Sequence, residues 1–249
     1  MVSGAWGNRW FAATVGAFYD WAIQRQWVAD WYLRLIVGDD ARGLLGAMDA
    51  VTVMPDGSSI LDVPCGGGIT LRRLRPGQRV RYVAADSSPA MLARARRYAG
   101  ACGNPAVEFA ECDIESMPFG DGEFDLVVCF SGLHCLPDPA AAVREMARCV
   151  RPGGRVIADV ALHGQLRRCD AFMTFGRRFG VFGPPATLPE ACGWFTDAGL
   201  TITAQHRVGA LVYLDAKRPV QAATAERLSR WVLPTVADLK VTKFEKKRS

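Results

Sequence analysis

Ile60-Leu61-Asp62-Val63-Pro64-Cys65-Gly66-Gly67-Gly68-Ile69-Thr70 is the stretch that decides how the rest of the chain is read. A short apolar run with an acid inside it enters a triple glycine, and a helix-compatible segment leaves. The pattern predicts a strand, a tight turn and a helix N-terminus. Glycine serves where a backbone bends through dihedrals closed to other residues, or where a ligand must approach closer than a side chain allows. A helix starting there would present free N–H groups and the positive end of its dipole to the crevice. The turn is therefore a candidate nucleotide site, set against the plainer alternative of a βα turn with no ligand.

The kind of nucleotide follows from what is missing. The dinucleotide fingerprint G-x-G-x-x-G fails, because counting from Gly66 and Gly68 puts Leu71 at the third glycine. A Walker phosphate loop fails too, since no Gly-Lys-Ser/Thr follows. An acid before the turn and glycines within it, with no provision for a pyrophosphate, suit S-adenosylmethionine, which has an amino-acid end and a nucleoside end but no phosphate.

At 249 residues the chain can bury a full core, and one domain is the default. Half the residues are hydrophobic and 22% are charged, an ordinary globular balance. Of the formal charge of +5, +3 belongs to the last seven residues, Lys243 to Ser249, so the basic character is mostly a tail. No basic, aromatic-bearing groove is visible outside it, and a nucleic-acid partner is not expected. The eight cysteines form no C-x-x-C, and with three scattered histidines there is no zinc spacing; no metal is expected. Dispersed thiols in a large chain read as reduced and cytoplasmic, with Cys112 and Cys129 sitting as small hydrophobes in strand-like runs. The apolar stretch Trp10 to Tyr19 makes a poor signal peptide, and no run approaches the ~20 apolar residues of a membrane span. A small-molecule substrate is the expected partner, with a homodimer left open.

Taken in order, residues 1–57 read as a helical N-terminal cover. Ile23, Trp27, Trp31 and Leu35 recur every four residues on one helix face, and Ala41 to Val51 forms a second helix. Phe18-Tyr19-Asp20-Trp21 is the part of that layer placed to close over a ligand. Residues 58–220 read as the core. Strands are expected at Ser58–Val63, Val80–Ala85, Val107–Cys112, Phe124–Phe130 and Arg155–Leu162. Helices are expected from Thr70, from Pro89 behind a Ser88 cap, and over Ala140–Val150, with Arg151-Pro152-Gly153-Gly154 as a turn. Alternating strands and helices imply a parallel sheet covered on both faces. Residues 163–187 break the rhythm with Phe172, Phe175, Phe179 and Phe182 among glycines and arginines, and read as a substrate-facing insert. Helix Pro189–Ala198 and strands Thr201–Val208 and Ala210–Lys217 follow, the last two so closely joined at Gly209 that they must be antiparallel. A C-terminal helix and basic tail fill 221–249.

In an open parallel sheet the ligand crevice lies at the carboxyl ends of the strands. Those ends carry Asp62 with the glycines, Asp86, Asp113 and Ser131-Gly132-Leu133-His134. Asp86 can accept both hydroxyl protons of a ribose, although an acid there can also cap the next helix. Asp113-Ile114 can frame an adenine. Three acids at successive strand ends carry weight that none has alone.

With those residues the chain resembles the class I S-adenosylmethionine-dependent methyltransferases, in the style of the small-molecule group that includes quinone-biosynthesis enzymes. The resemblance lies in Leu61 to Gly68, Ala85-Asp86-Ser87-Ser88-Pro89-Ala90-Met91, Asp113 to Phe119, Phe124-Asp125-Leu126-Val127 and Arg148 to Gly154. It implies an α/β fold: a doubly wound, Rossmann-like, seven-stranded and mostly parallel sheet with an antiparallel C-terminal hairpin, here Thr201 to Lys217. It also implies that Asp62, Pro64, Cys65, Gly66 and Gly68 form the loop around the methionine part. Asp86 with Ser87 would take the ribose, Met91 the adenine face, Asp113 and Ile114 the adenine edge, and Phe130 and Ser131 the methionine side. Tyr19 would reach the cofactor from the cover. Pro64 stands where the family usually has glycine, so that position has no N–H to donate.

Methyl transfer needs positioning above all, and a base only where the acceptor must lose a proton. His134 is the first candidate for base or orienting group and His163 the second, each against a structural alternative; His206 lies in an edge strand. The aromatic cover and insert point to an apolar or aromatic acceptor. A nucleic-acid methyltransferase and an inactive cofactor-binding protein are the rivals.

Overall fold

The computed structural model describes residues 33–38, 42–101 and 106–220. The cover up to residue 32, with Tyr19, Asp20 and the tryptophan stripe, lies outside the described residues, as does the C-terminal helix and tail expected over 221–249. Of the stripe only Leu35 is described, exposed in a single π-helical turn, Leu33–Val37.

The first helix, α1 (Arg42–Thr52), leads into β1 (Ser59–Asp62). Then come β2 (Arg81–Asp86), α2 (Pro89–Ala101), β3 (Glu108–Glu111) and β4 (Phe124–Cys129). Next are α3 (Pro139–Cys149), β5 (Val150–Ala161), α4 (Arg167–Arg177) and α5 (Leu188–Asp197). The hairpin β6 (Thr201–Val208) and β7 (Leu211–Lys217) closes the sequence of elements. The strands form one seven-stranded sheet in the order β3-β2-β1-β4-β5-β7-β6. β1 to β5 run parallel, while β7 is antiparallel to both β5 and β6. The α/β sheet and its antiparallel hairpin agree with the sequence reading.

Alternation within strands builds two cores. Leu61, Val83, Val127, Val156 and Val212 face one side, where α3 and α5 bring Val143, Met146, Ala191 and Phe195. Ile60, Tyr82, Leu126, Ile157 and Tyr213 face the other, against Leu44, Met48 and Val51 of α1 and Leu92, Ala95 and Ala99 of α2. Side chains two apart share a face, so strands buried on both sides must be apolar throughout. Helix starts follow their caps. Ser88 Oγ accepts the Met91 N–H, Asp138 Oδ1 accepts that of Ala141 at 2.9 Å, and Thr187 forms a capping box with Glu190.

Two local expectations are corrected. The segment after the glycines is one five-residue 3-10 turn, Ile69–Arg73, and Leu74 is already extended. Pro76-Gly77 and the short span to β2 leave no room for an α-helix, so no helix dipole stands behind the glycine turn. Arg151 to Gly154 is a bulge within β5, where the register against β4 jumps from Phe124↔Val150 to Leu126↔Arg155. Backbone bonds from Gly153 N–H to Arg218 O (2.7 Å) and from Arg218 N–H to Gly154 O (3.0 Å) hold it in the sheet. The segment 163–187 contains α4. Phe172, Phe175, Phe179 and Phe182 are spaced three or four apart, a helical period that the intervening glycines disguise.

Two substitutions in α5 should move stability in opposite directions. Phe195 is fully buried, so Phe195→Ala is expected to cost about 3–5 kcal/mol. Gly193 has nothing within 4 Å of where a Cβ would stand, so Gly193→Ala should gain roughly 0.5–1 kcal/mol from helix propensity. Urea unfolding of both variants checks the pair, and a loss of stability at Gly193→Ala would contradict the packing described for α5.

Candidate functional site

The carboxyl ends of β1, β2 and β3 bring Asp62, Asp86 and Asp113 to one rim of the sheet, with the tip of β4 beside them. The glycine turn is tied to that rim. Cys65 N–H donates to Ala85 O at 2.8 Å, and Gly66 N–H donates to Asp86 Oδ2 at 2.9 Å. The other carboxylate oxygen of Asp86 accepts the Ser88 N–H at 2.9 Å, so one side chain joins the turn to the start of α2. At Gly68, with φ +86°, a Cβ would fall 3.2 Å from the Ala95 backbone. The close helix–turn approach that a third fingerprint glycine would provide is thus made here, one turn earlier in the chain.

Asp62 is held beneath the turn. Tyr82 Oη donates to its Oδ2 at 2.8 Å, and Thr70, just past the glycines, bonds it too. Burial pushes the Asp62 carboxyl up to about 7 against these hydrogen bonds, with the charge of Asp86 raising it further. Burial likewise takes Asp86 to about 6, opposed by the Ser88 and Gly66 N–H groups. Pro64 follows a cis peptide and packs under the tip of β4: a Cβ on Gly132 would stand 2.5 Å from its Cδ. Cys65 is buried, its thiol raised by burial and by the neighbouring acids.

Around the rim, Met91 and Ile114 are buried, Ser87 is exposed, and Asp113 is half-buried with its Oδ1 accepting the Glu115 N–H at 3.0 Å. Phe130 is buried, and Ser131 takes a left-handed φ of +55°. The rim therefore offers acids, apolar faces and bare backbone. Without a helix dipole behind the turn, that set suits a cationic, phosphate-free nucleoside better than a pyrophosphate. The residues fit the cofactor that the sequence implies.

The two histidines part company. His134 sits in the short 3-10 turn Leu133–Cys135, with its Nδ1 buried and unpartnered, and its ring lies 6.1 Å from that of Phe182. Burial lowers its pKa to about 4, so the imidazole is neutral at physiological pH. His163 lies half-exposed past β5 and faces Asp170 of α4, Nδ1 to Oδ1 at 3.2 Å. Its recorded partner is on α4 and not on the glycine turn.

Sequence reasoning passed over Tyr82 and Asp159 as site residues. Asp159 is completely buried in β5 and accepts the Ser131 N–H. Its signal was present: an acid in the apolar run Val156 to Ala161, the same mark that singled out Asp62.

Residues 61–158 match a family described as a methyltransferase domain. A demethylmenaquinone methyltransferase of Thermus thermophilus is 42% identical over 101 residues, covering 39% of this chain and 44% of that one. The chain spans about half the length of curated relatives it matches. Among solved structures, a geranyl diphosphate C-methyltransferase from Streptomyces coelicolor, complexed with Mg2+, geranyl-S-thiolodiphosphate and S-adenosyl-L-homocysteine, superimposes with TM-score 0.59 at 16% identity. That match covers 72% of this chain and 76% of the other. The [4+2]-cyclase SpnF superimposes with TM-score 0.62 at 19% identity, over 84% and 96% of the two chains. At such identities the likeness is one of fold.

The raised Asp62 carboxyl makes stability depend on pH. Its folded pKa of about 7 exceeds the unfolded value of 3.8, so its contribution is complete below 3.8 and lost as pH rises through 7. The melting temperature should therefore fall between about pH 4 and pH 7 and level off above that, and Asp62→Asn should flatten the fall. An unchanged slope in the variant, measured by thermal melts at fixed salt, would show that Asp62 is not the titrating group.

Proposed function

We propose that this chain, whose residues 61–158 match a methyltransferase domain, is a class I S-adenosylmethionine-dependent methyltransferase that methylates a small apolar or aromatic acceptor. The observation that carries the reading is the Asp86 carboxylate, buried at the tip of β2 and bonded to the glycine turn on the rim shared with Asp113 and Ile114.

When bound, S-adenosylmethionine supplies a methyl group on a sulfonium leaving group. Asp86 is the acceptor for the ribose hydroxyls, its second lone pairs lying beyond the two N–H groups it already holds. Met91 and Ile114 give apolar faces to the adenine and Asp113 a polar edge. Phe130, Ser131 and the glycine turn receive the methionine end, with Cys65 and Pro64 shaping the turn. Tyr19, outside the described residues, belongs to the cover over the same site in this reading.

His134 orients the acceptor. Its neutral imidazole stands beside Phe182, which packs edge-on to Phe172 with ring centroids 5.4 Å apart. An aromatic acceptor bearing a hydroxyl matches that lining. Methylation of a neutral hydroxyl yields an oxonium far more acidic than an imidazolium, so even a weakly basic His134 can take the proton. His163, turned toward Asp170, is a secondary candidate for the same task. Likeness to a [4+2]-cyclase keeps a second reading alive, in which the site binds the cofactor without transferring its methyl group, because fold alone does not fix reaction.

Two measurements test this. Incubation with labelled S-adenosylmethionine and a panel of phenols, acids and amines should label a small apolar acceptor; cofactor binding with no label anywhere would favour the second reading. Affinity for S-adenosylhomocysteine should fall as pH drops from 7.5 to 5, approaching tenfold per pH unit below the Asp86 pKa of about 6, because the ionised form accepts the hydroxyls. Asp86→Asn should bind weakly without that pH dependence, and an identical pH profile in the variant would remove Asp86 from the ribose site.

A further inference from the structure

Asp159 is a fully buried acid among Val156, Ile157, Ala158, Val160 and Ala161, and the chemistry above makes no use of it. Burying a carboxylate is costly, so an apolar strand that keeps one has a task for it. Alternation along β5 puts Asp159 on the side of Ile157 and Ala161, where α1 and α2 pack. From there its Oδ1 accepts the backbone N–H of Ser131, the residue just beyond Phe130 at the tip of β4.

Ser131 is the one non-glycine residue with positive φ among the described residues. L side chains take that conformation at a cost, and a charge-assisted hydrogen bond to its N–H is a means of holding it. The turn it shapes is closely fitted. Phe130 on one side is buried, and Gly132 on the other lies so near Pro64 that no side chain would fit between them. Cys135 Sγ reaches Ser131 O at 3.7 Å, closing the same turn from below. Asp159 thus sets how the tip of β4 meets the glycine turn of β1.

We propose that Asp159 is a positioning residue for the methyl donor, holding Phe130-Ser131-Gly132 in the shape that receives the methionine end of S-adenosylmethionine. This rests on the function proposed above. The residue touches neither donor nor acceptor; it acts through Ser131, so its loss is felt on the donor side of the reaction.

Calorimetry with S-adenosylhomocysteine, steady-state kinetics and thermal melts test this on the full chain. Asp159→Asn keeps the shape and a neutral acceptor, and donor affinity should fall about three- to tenfold, the loss expected when a charged acceptor becomes neutral. Donor KM should rise with it, while kcat and acceptor KM stay within about twofold. Adding Ser131→Gly to Asp159→Asn should recover most of the lost affinity, because glycine takes positive φ unaided. A folded Asp159→Asn with unchanged donor affinity, or a loss that Ser131→Gly does not recover, overturns the proposal. Should Asp159→Asn fail to fold, the wild-type protein still decides: the Ser131 amide should exchange slowly before any ligand is added, and fast exchange overturns it. Absence of S-adenosylhomocysteine binding to the wild-type protein sinks the functional reading itself and this one with it.

Discussion

The Asp86 carboxylate is the joint on which the site depends. It receives one N–H from the glycine turn after β1 and another from the start of α2, so the tips of two strands and one helix meet at a single side chain. Removing it would leave the buried Ser88 N–H without a partner, at a cost of about 1–3 kcal/mol, and free the part-buried Gly66 N–H as well. Burial pushes the thiols of Cys65 and Cys112 up, and the charge of Asp86 adds to the rise. The crevice is lined by acids, and the segment behind its glycine turn is a short 3-10 turn and not an α-helix.

The glycine turn carries a residue that looked like a weakness in the sequence. Pro64 replaces a residue with a free N–H, yet its ring fills the space beneath Gly132 and joins the tips of β1 and β4. The turn gives up one donor and gains a packing contact. Asp62 below it is braced by Tyr82 and Thr70, which fixes the turn from beneath. Fixed backbone on rigid strands is what methyl transfer requires, since the reaction turns on alignment more than on acid or base strength.

The fold was legible because its signals are local and repeated. Continuous apolar runs such as Phe124 to Cys129 name the inner strands, Ser88-Pro89 names a helix start, and Gly209 forces the hairpin. The misreadings have physical reasons. Gly153-Gly154 carries the composition of a turn, but hydrogen bonds to Arg218, distant in sequence, keep it in the sheet as a bulge. The helix expected after Gly68 shrinks to a 3-10 turn because the chain must reach β2 quickly. At the site, the acids at strand tips could be read from the sequence, whereas the Tyr82–Asp62 and Ser131–Asp159 bonds depend on strand order and could not. Nor could a sequence say that His163 turns toward Asp170 while His134 lies beside Phe182 with its Nδ1 buried.

The central claim is that the carboxyl ends of β1, β2 and β4 form one pocket for an adenosyl sulfonium. Amide hydrogen exchange with and without S-adenosylhomocysteine addresses it directly. Slowed exchange shared by the Gly66–Gly68 turn, the Asp86–Met91 segment and the tip of β4 at Phe130–Ser131 is the predicted result. Protection confined to α4 or to the β6–β7 hairpin, with the three strand tips unchanged, would contradict the account.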